Sequence, residues 1–265
     1  MISKILAKVL TCKKTREQII FQIKQKYFHE LSYSIPLKNG YWGHILENDA
    51  YDSFSEVFIQ QAYANFIPPI RPARVLDIGA NYGYFSLWLQ TVFPEEEICA
   101  LMIEPSTQCR RSLDYLTEQP KLKNRFHWME GAIADPSLVK VDFYDRPYMA
   151  SSVFDTSSEE TSSTSKVLKT DEIIEKLPPP YDLLKCDIEG SEWDLIIHYT
   201  ELICQASYLV LEWHSWHSGG GGFEQLTKKL KTLGFQILHV SETEPSIGID
   251  GEVGLILAKN TSKVD

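Results

Sequence analysis

Two short stretches hold side chains that could do chemistry, "LLKCDIEGSEWD" (183–194) and "LEWH" (211–214). Side chains alternate along a strand, so Lys185, Asp187 and Glu189 share one face while Leu184, Cys186 and Ile188 share the other. In the second stretch Glu212 and His214 again fall on one face. A buried ammonium must be paired, and Asp187 is the nearest candidate partner for Lys185. If the two strands are neighbours, Lys185, Asp187, Glu189, Glu212 and His214 converge at one end of a sheet. Such a cluster can move a proton. Its oxygen and nitrogen atoms would also suit Mg²⁺ or Mn²⁺, but Lys185 already supplies positive charge there, so no metal is expected. Glu192 and Asp194 read as first-turn acids of a helix that begins near Ser191.

A third stretch, "VLDIGANYGYFS" (75–86), sets a glycine turn between an apolar run and a helix. A dinucleotide turn is G-x-G-x-x-G and seats a pyrophosphate on a helix N-terminus. The spacing here is Asp77-x-Gly79-x-x-x-Gly83. A carboxylate at the strand end beside the turn would repel a pyrophosphate. It suits a ligand that is cationic at that spot, such as the ammonium or sulfonium of S-adenosylmethionine (SAM). A second acid, Glu104, ends the next strand in "IEPS", where an acid can take a ribose diol with two hydrogen bonds. Gly131 and Ala132, after the third strand, are placed to offer backbone amides to an adenine edge.

These groups need a rigid frame. From Arg74 onward strand-like and helix-like segments alternate, and the strands are near-continuous apolar runs. That pattern predicts a doubly wound, mostly parallel sheet covered on both faces. "FQILHV" and "EVGLILAK" have no helix between them, so this pair is expected to be antiparallel. Residues 1–70 read as a helical N-terminal extension or lid, ending in a helix over "SEVFIQQAYANFI" that Pro68 and Pro69 stop. Residues 71–265 read as the catalytic domain. The Ser/Thr/Glu-rich stretch 150–165 reads as a mobile loop, and "HSWHSGGGG" (214–222) as a flexible flap.

In this order along the chain, "VLDIGANYGYFS", "IEPS", "LLKCDIEGSEWDLI" and "LEWH" resemble the FkbM family of SAM-dependent methyltransferases. The resemblance spans about residues 55–260. It implies a class I, Rossmann-like fold with a seven-stranded sheet whose last strand is antiparallel, and O-methylation of a sugar, polyketide or peptide natural product. It implies that Asp77, Gly79, Asn81, Gly83 and Glu104 contact the cofactor. Tyr82, Pro105, Ser106, Gly131, Ala132 and Asp187 complete the expected cofactor set. Methyl transfer to an alcohol needs a base, and His titrates near neutral pH. His214 is therefore the expected base, Asp187 the second choice, with Lys185 and Glu189 beside them.

Composition narrows the alternatives. The 265 residues carry a net charge of −10, which disfavours nucleic acid as a partner. Residues 1–26 hold seven Lys or Arg against one Glu, leaving about −16 on the rest. They read as an amphipathic basic helix packed on its own domain, with contact to a membrane surface or a partner as the lesser reading. Its apolar run is too short to span a bilayer. Five scattered cysteines without C-x-x-C read as reduced thiols in a cytoplasmic protein. Competing functions are carboxyl or amine methylation of a peptide or natural product, an NAD(P) oxidoreductase on a similar sheet, and a non-catalytic partner module.

Overall fold

The computed structural model describes residues 33–47, 49–144, 162–215, 222–245 and 251–263. The basic N-terminal helix, most of the 150–165 stretch and the glycines 219–221 lie outside these residues.

Five apolar runs build the centre of the sheet: β3 (Arg74–Ile78), β4 (Cys99–Glu104), β5 (Phe126–Glu130), β8 (Tyr181–Cys186) and β9 (Ala206–His214). All their mutual pairings are parallel. β12 (Glu252–Asn260) then inserts antiparallel between β9 and β10 (Phe235–Val240). The seven strands run β10-β12-β9-β8-β3-β4-β5, with the two-residue β11 (Glu244–Pro245) attached to β12. The closing antiparallel pair expected from "FQILHV" and "EVGLILAK" is present. Strand order reverses between β3 and β8, and in open α/β sheets the ligand crevice lies at that switch point, outside the strand carboxyl ends.

Each central strand alternates between two cores, one per face of the sheet. Val75, Ala100, Met102, Phe126, Leu183 and Val210 pack beneath α2 (Tyr84–Val92), α3 (Arg110–Thr117) and the segment before β3. Leu76, Leu101, Leu184, Leu209 and Leu211 pack beneath four further helices. These are α4 (Thr170–Lys176), α5 (Glu192–His198), α6 (Thr200–Cys204) and α7 (Gly222–Thr232). The run "SEWDLIIHYTEL" (191–202) has the pattern of one continuous helix. It breaks at Tyr199, whose buried hydroxyl donates to Ala134 O and Leu168 O instead of facing solvent.

Before the sheet, the described residues are not simply helical. β1 (Tyr33–Pro36) and β2 (Trp42–Ile45) form an antiparallel hairpin. It is tied to the domain by Trp42 N–H donating to Gln119 Oε1 and Gln119 Nε2 donating to Trp42 O. The helix expected over 55–67 starts earlier, as α1 (Ala50–Phe54). It widens into a π-turn over Ser55–Gln60, which closes on Gln61 in the left-handed region. A second difference lies after β5. Ser162–Lys166 was read as part of a loop, but it is strand β7 and pairs antiparallel with β6 (Lys140–Tyr144).

Candidate active site

A cavity of about 490 Å³ runs along the carboxyl ends of β5, β4, β3, β8 and β9. Its two halves are built differently.

The first half is the glycine turn. Gly79 has φ +73°, and a Cβ there would lie 1.6 Å from the Asp187 carbonyl oxygen, so the turn closes only with glycine. Gly79 N–H and Ala80 N–H both donate to Ile103 O, and Gly83 N–H donates to Ala80 O. Asn81, at φ +51°, donates its N–H to Glu104 Oε2 at 2.7 Å, and Ser106 N–H donates to Glu104 Oε1 at 2.9 Å. The amides that a phosphate would need are thus already used. What the turn presents is the Glu104 carboxyl, buried and held at both oxygens, with burial lifting it to about 7 against the two amide donors. Gly79, Asn81, Tyr82, Glu104, Pro105, Ser106, Gly131 and Ala132 all line this half.

Asp77 and Gly83 do not. Gly83 starts α2 at φ +79°, and a Cβ there would meet Leu116 at 2.5 Å. Asp77 is fully buried, accepts from Ser86 Oγ at 2.7 Å, and sits opposite Lys185 in the β3–β8 register. Lys185 Nζ is 3.6 Å from Asp77 Oδ1 and 3.4 Å from Asp187 Oδ2, and donates to Gly79 O at 2.6 Å. Burial alone would depress that ammonium, but Asp187 and Asp77 more than offset it and hold it above its usual value. The expected Lys185–Asp187 pair is therefore present. Asp77, expected beside the ligand, differs: pleat and register turn it beneath the turn, where Lys185 is its partner as well.

The acidic wall lies in the second half, where Lys185, Asp187, Glu189, Glu212 and His214 all line the cavity. Two unexpected residues join them. Tyr63 reaches in from the segment after α1, its hydroxyl 3.3 Å from both Asp187 Oδ2 and Glu212 Oε2. Glu56, on the π-turn, lines the same space. In sequence both looked like ordinary helix positions; the available signal was an acid and a tyrosine seven apart on an otherwise apolar stripe.

His214 is only 2% exposed, with Nδ1 2.9 Å from Glu192 Oε1 and Nε2 3.3 Å from Glu189 Oε2. Burial would lower its pKa, but Glu189 and Glu192 raise it well above the ordinary value. The two acids favour its protonated form, which makes it a poorer proton acceptor. Glu192, besides opening α5, accepts from Gly190 N–H at 3.1 Å and so anchors this clamp. Asp187 is placed differently: Lys185 and Tyr63 hold its Oδ2, while Oδ1 has no hydrogen-bond partner. One ligand atom from each of Asp187, Glu212 and His214 lies within 4.8 Å of the others, a spacing a divalent cation could bridge.

The crowded carboxyls give a testable pH response. Burial raises Glu56 and Glu104 from 4.5 to about 7 and Glu189 to about 8. Each folded value exceeds the unfolded one, so the folded state binds more protons, and the stabilisation is lost as pH rises through the folded values. The melting temperature of the ligand-free protein should therefore fall between pH 5 and pH 8. A scanning-calorimetry series with rising or flat values would refute these shifts.

The family model described as "Methyltransferase FkbM domain" matches residues 77–237, more than half of the chain. No curated protein matches the chain. Three solved structures illustrate the likeness. An NADB-Rossmann superfamily protein from Streptococcus agalactiae is 16% identical, with 76% of this chain and 66% of that one covered and a TM-score of 0.43. A methyltransferase FkbM from Methylobacillus flagellatus KT is 14% identical over 96% of this chain and 57% of its own, with a TM-score of 0.49. M. capricolum TrmK, solved with S-adenosyl-homocysteine, is 11% identical over 77% and 68%, with a TM-score of 0.45. This chain thus spans just under two thirds of the first and little over half of the second. Among the described residues, no helix is long and apolar enough to cross a membrane.

Proposed function

The chain belongs to the FkbM methyltransferase family, and from that footing we propose that it transfers the methyl group of SAM to a hydroxyl of a small natural product, a sugar, polyketide or peptide. One observation carries the reading: the glycine turn spends its amides internally and presents the doubly held Glu104 carboxyl beside a carboxylate-lined end. That surface disfavours linked phosphates and fits a ligand with a diol and positive charges.

In this reading the backbone of Gly79 to Tyr82, together with Pro105 and Ser106, borders the donor. Glu104 takes its ribose, and Gly131 and Ala132 border its adenine, but not through the amides expected from the sequence, which already donate to Glu104 O and Lys166 O. Asp77 and Gly83 act one layer back, by shaping the turn. Bound SAM supplies an electrophilic methyl carbon. The Asp187 carboxylate, which lines the cavity and is fixed at Oδ2 by Lys185 and Tyr63, accepts the acceptor's hydroxyl proton. Lys185 and His214 keep the surrounding acids in place, and Tyr63 sets the spacing between Asp187 and Glu212. A carboxylate acceptor fits less well, since it would enter against Glu56, Asp187, Glu189 and Glu212.

Calorimetric titration tests the donor assignment. SAM and S-adenosylhomocysteine should bind and NADH should not. Glu104→Gln, whose amide turns an N–H toward the amide donor of Asn81 or Ser106, should weaken SAM by about 10–100-fold. Tight NADH binding without SAM binding would overturn the proposal.

A further inference from the structure

Resting on the methyl-transfer reading, we infer that the acceptor is a hydroxyl compound that also carries a protonated amine, and that Glu56 binds that ammonium. Among the described residues, the acids around the second half of the cavity outnumber the cations. Glu56, Asp187, Glu189 and Glu212 line it. The two cations on that wall are already committed: Lys185 lies between Asp77 and Asp187, and His214 between Glu189 and Glu192. SAM brings one net positive charge, from a sulfonium and an ammonium against one carboxylate, and cannot match this excess.

Glu56 is the member left over. Among the described residues, its carboxylate makes no hydrogen bond and no ion pair, yet it forms part of the cavity wall. It enters from the π-turn, opposite the strand ends that supply the other acids. Asp187, partly exposed, is a second acid on the same cavity.

A single metal ion does not answer the same need. Asp187, Glu212 and His214 share a spacing of 4.8 Å or less, and Glu56 lies outside that group. A point charge held by the three leaves Glu56 unmatched. A molecule whose amine and hydroxyl are a few bonds apart meets both: its hydroxyl faces Asp187, its ammonium faces Glu56. Anionic acceptors are excluded by the same field.

The test uses the full chain loaded with S-adenosylhomocysteine and three probes on one two-carbon skeleton: ethanolamine, ethylene glycol and glycolate. At pH 7.5 and fixed ionic strength, ethanolamine should bind at least about 10-fold tighter than ethylene glycol, and glycolate most weakly. Glu56→Gln should reduce the ethanolamine preference to about onefold, with S-adenosylhomocysteine affinity retained as the check on folding; Glu56→Asp should keep part of the preference. Equal or better binding of the neutral or anionic probe overturns the inference, as does a preference that survives Glu56→Gln. Mn²⁺ that displaces ethanolamine equally from both proteins would assign the excess charge to a metal instead. If S-adenosylhomocysteine itself does not bind, the donor assignment fails first, and that outcome is separate from a failure at Glu56.

Discussion

Asp187→Asn should lower kcat by about 10²–10⁴, the usual worth of a positioned proton acceptor, while changing SAM affinity far less. The substitution keeps the shape of the side chain and removes its ability to take a proton. Lys185 retains Asp77 as a partner, so the strand ends stay in place. Product formation measured as S-adenosylhomocysteine release, alongside a SAM titration, separates the two effects. The pairing argument predicts a different pattern for His214. Its two nitrogens are held by Glu189 and Glu192, so His214→Gln should lower stability more than it lowers the rate of the folded fraction. Unchanged turnover in Asp187→Asn would move the base to Glu212 or Glu189, or mean that the acceptor atom arrives already deprotonated.

The largest stability effect is expected at Lys185. Lys185→Met should cost about 3–5 kcal/mol, because it leaves Asp77 buried without its cation. The loss should depend on pH. Burial already raises the Asp77 carboxyl above 3.8, and losing the ammonium raises it further. A folded value above the unfolded one stabilises fully below the unfolded value, and that stabilisation fades as pH rises through the folded one. The deficit of the variant should therefore be smaller at pH 5 than at pH 8 in urea titrations of both proteins. A deficit independent of pH would show that Asp77 does not depend on Lys185.

The contrast between these two residues shows what the sequence could reveal. Strands such as "YLVLEW" were legible because an unbroken apolar run has few other uses, and the helix-free pair at the end announced its own direction. The convergence of Lys185, Asp187, Glu189, Glu212 and His214 followed from alternation along two strands. So did the Lys185–Asp187 pair, whereas the contact of Lys185 with Asp77 did not. Asp77 and Lys185 are 108 positions of chain apart in neither pattern nor motif, and only the β3–β8 register sets them face to face. His214 was legible as a site residue but not as a clamped cation, since Glu192 looked like a helix-opening acid. The β1–β2 hairpin was missed because its strands are four residues each and held by a distant glutamine. Glu56 was missed because its spacing from Tyr63 is also that of an ordinary helix face.

The π-turn and Tyr63 precede the region that the family match spans, residues 77–237, whereas the turn at 79–83, Glu104 and Asp187 lie inside it. On the proposed assignment, the residues that border the donor lie inside the matched region, whereas Glu56 and Tyr63, which border the acceptor, lie before it. Grafting the 50–66 stretch between relatives ought to retarget the enzyme without disturbing its use of SAM.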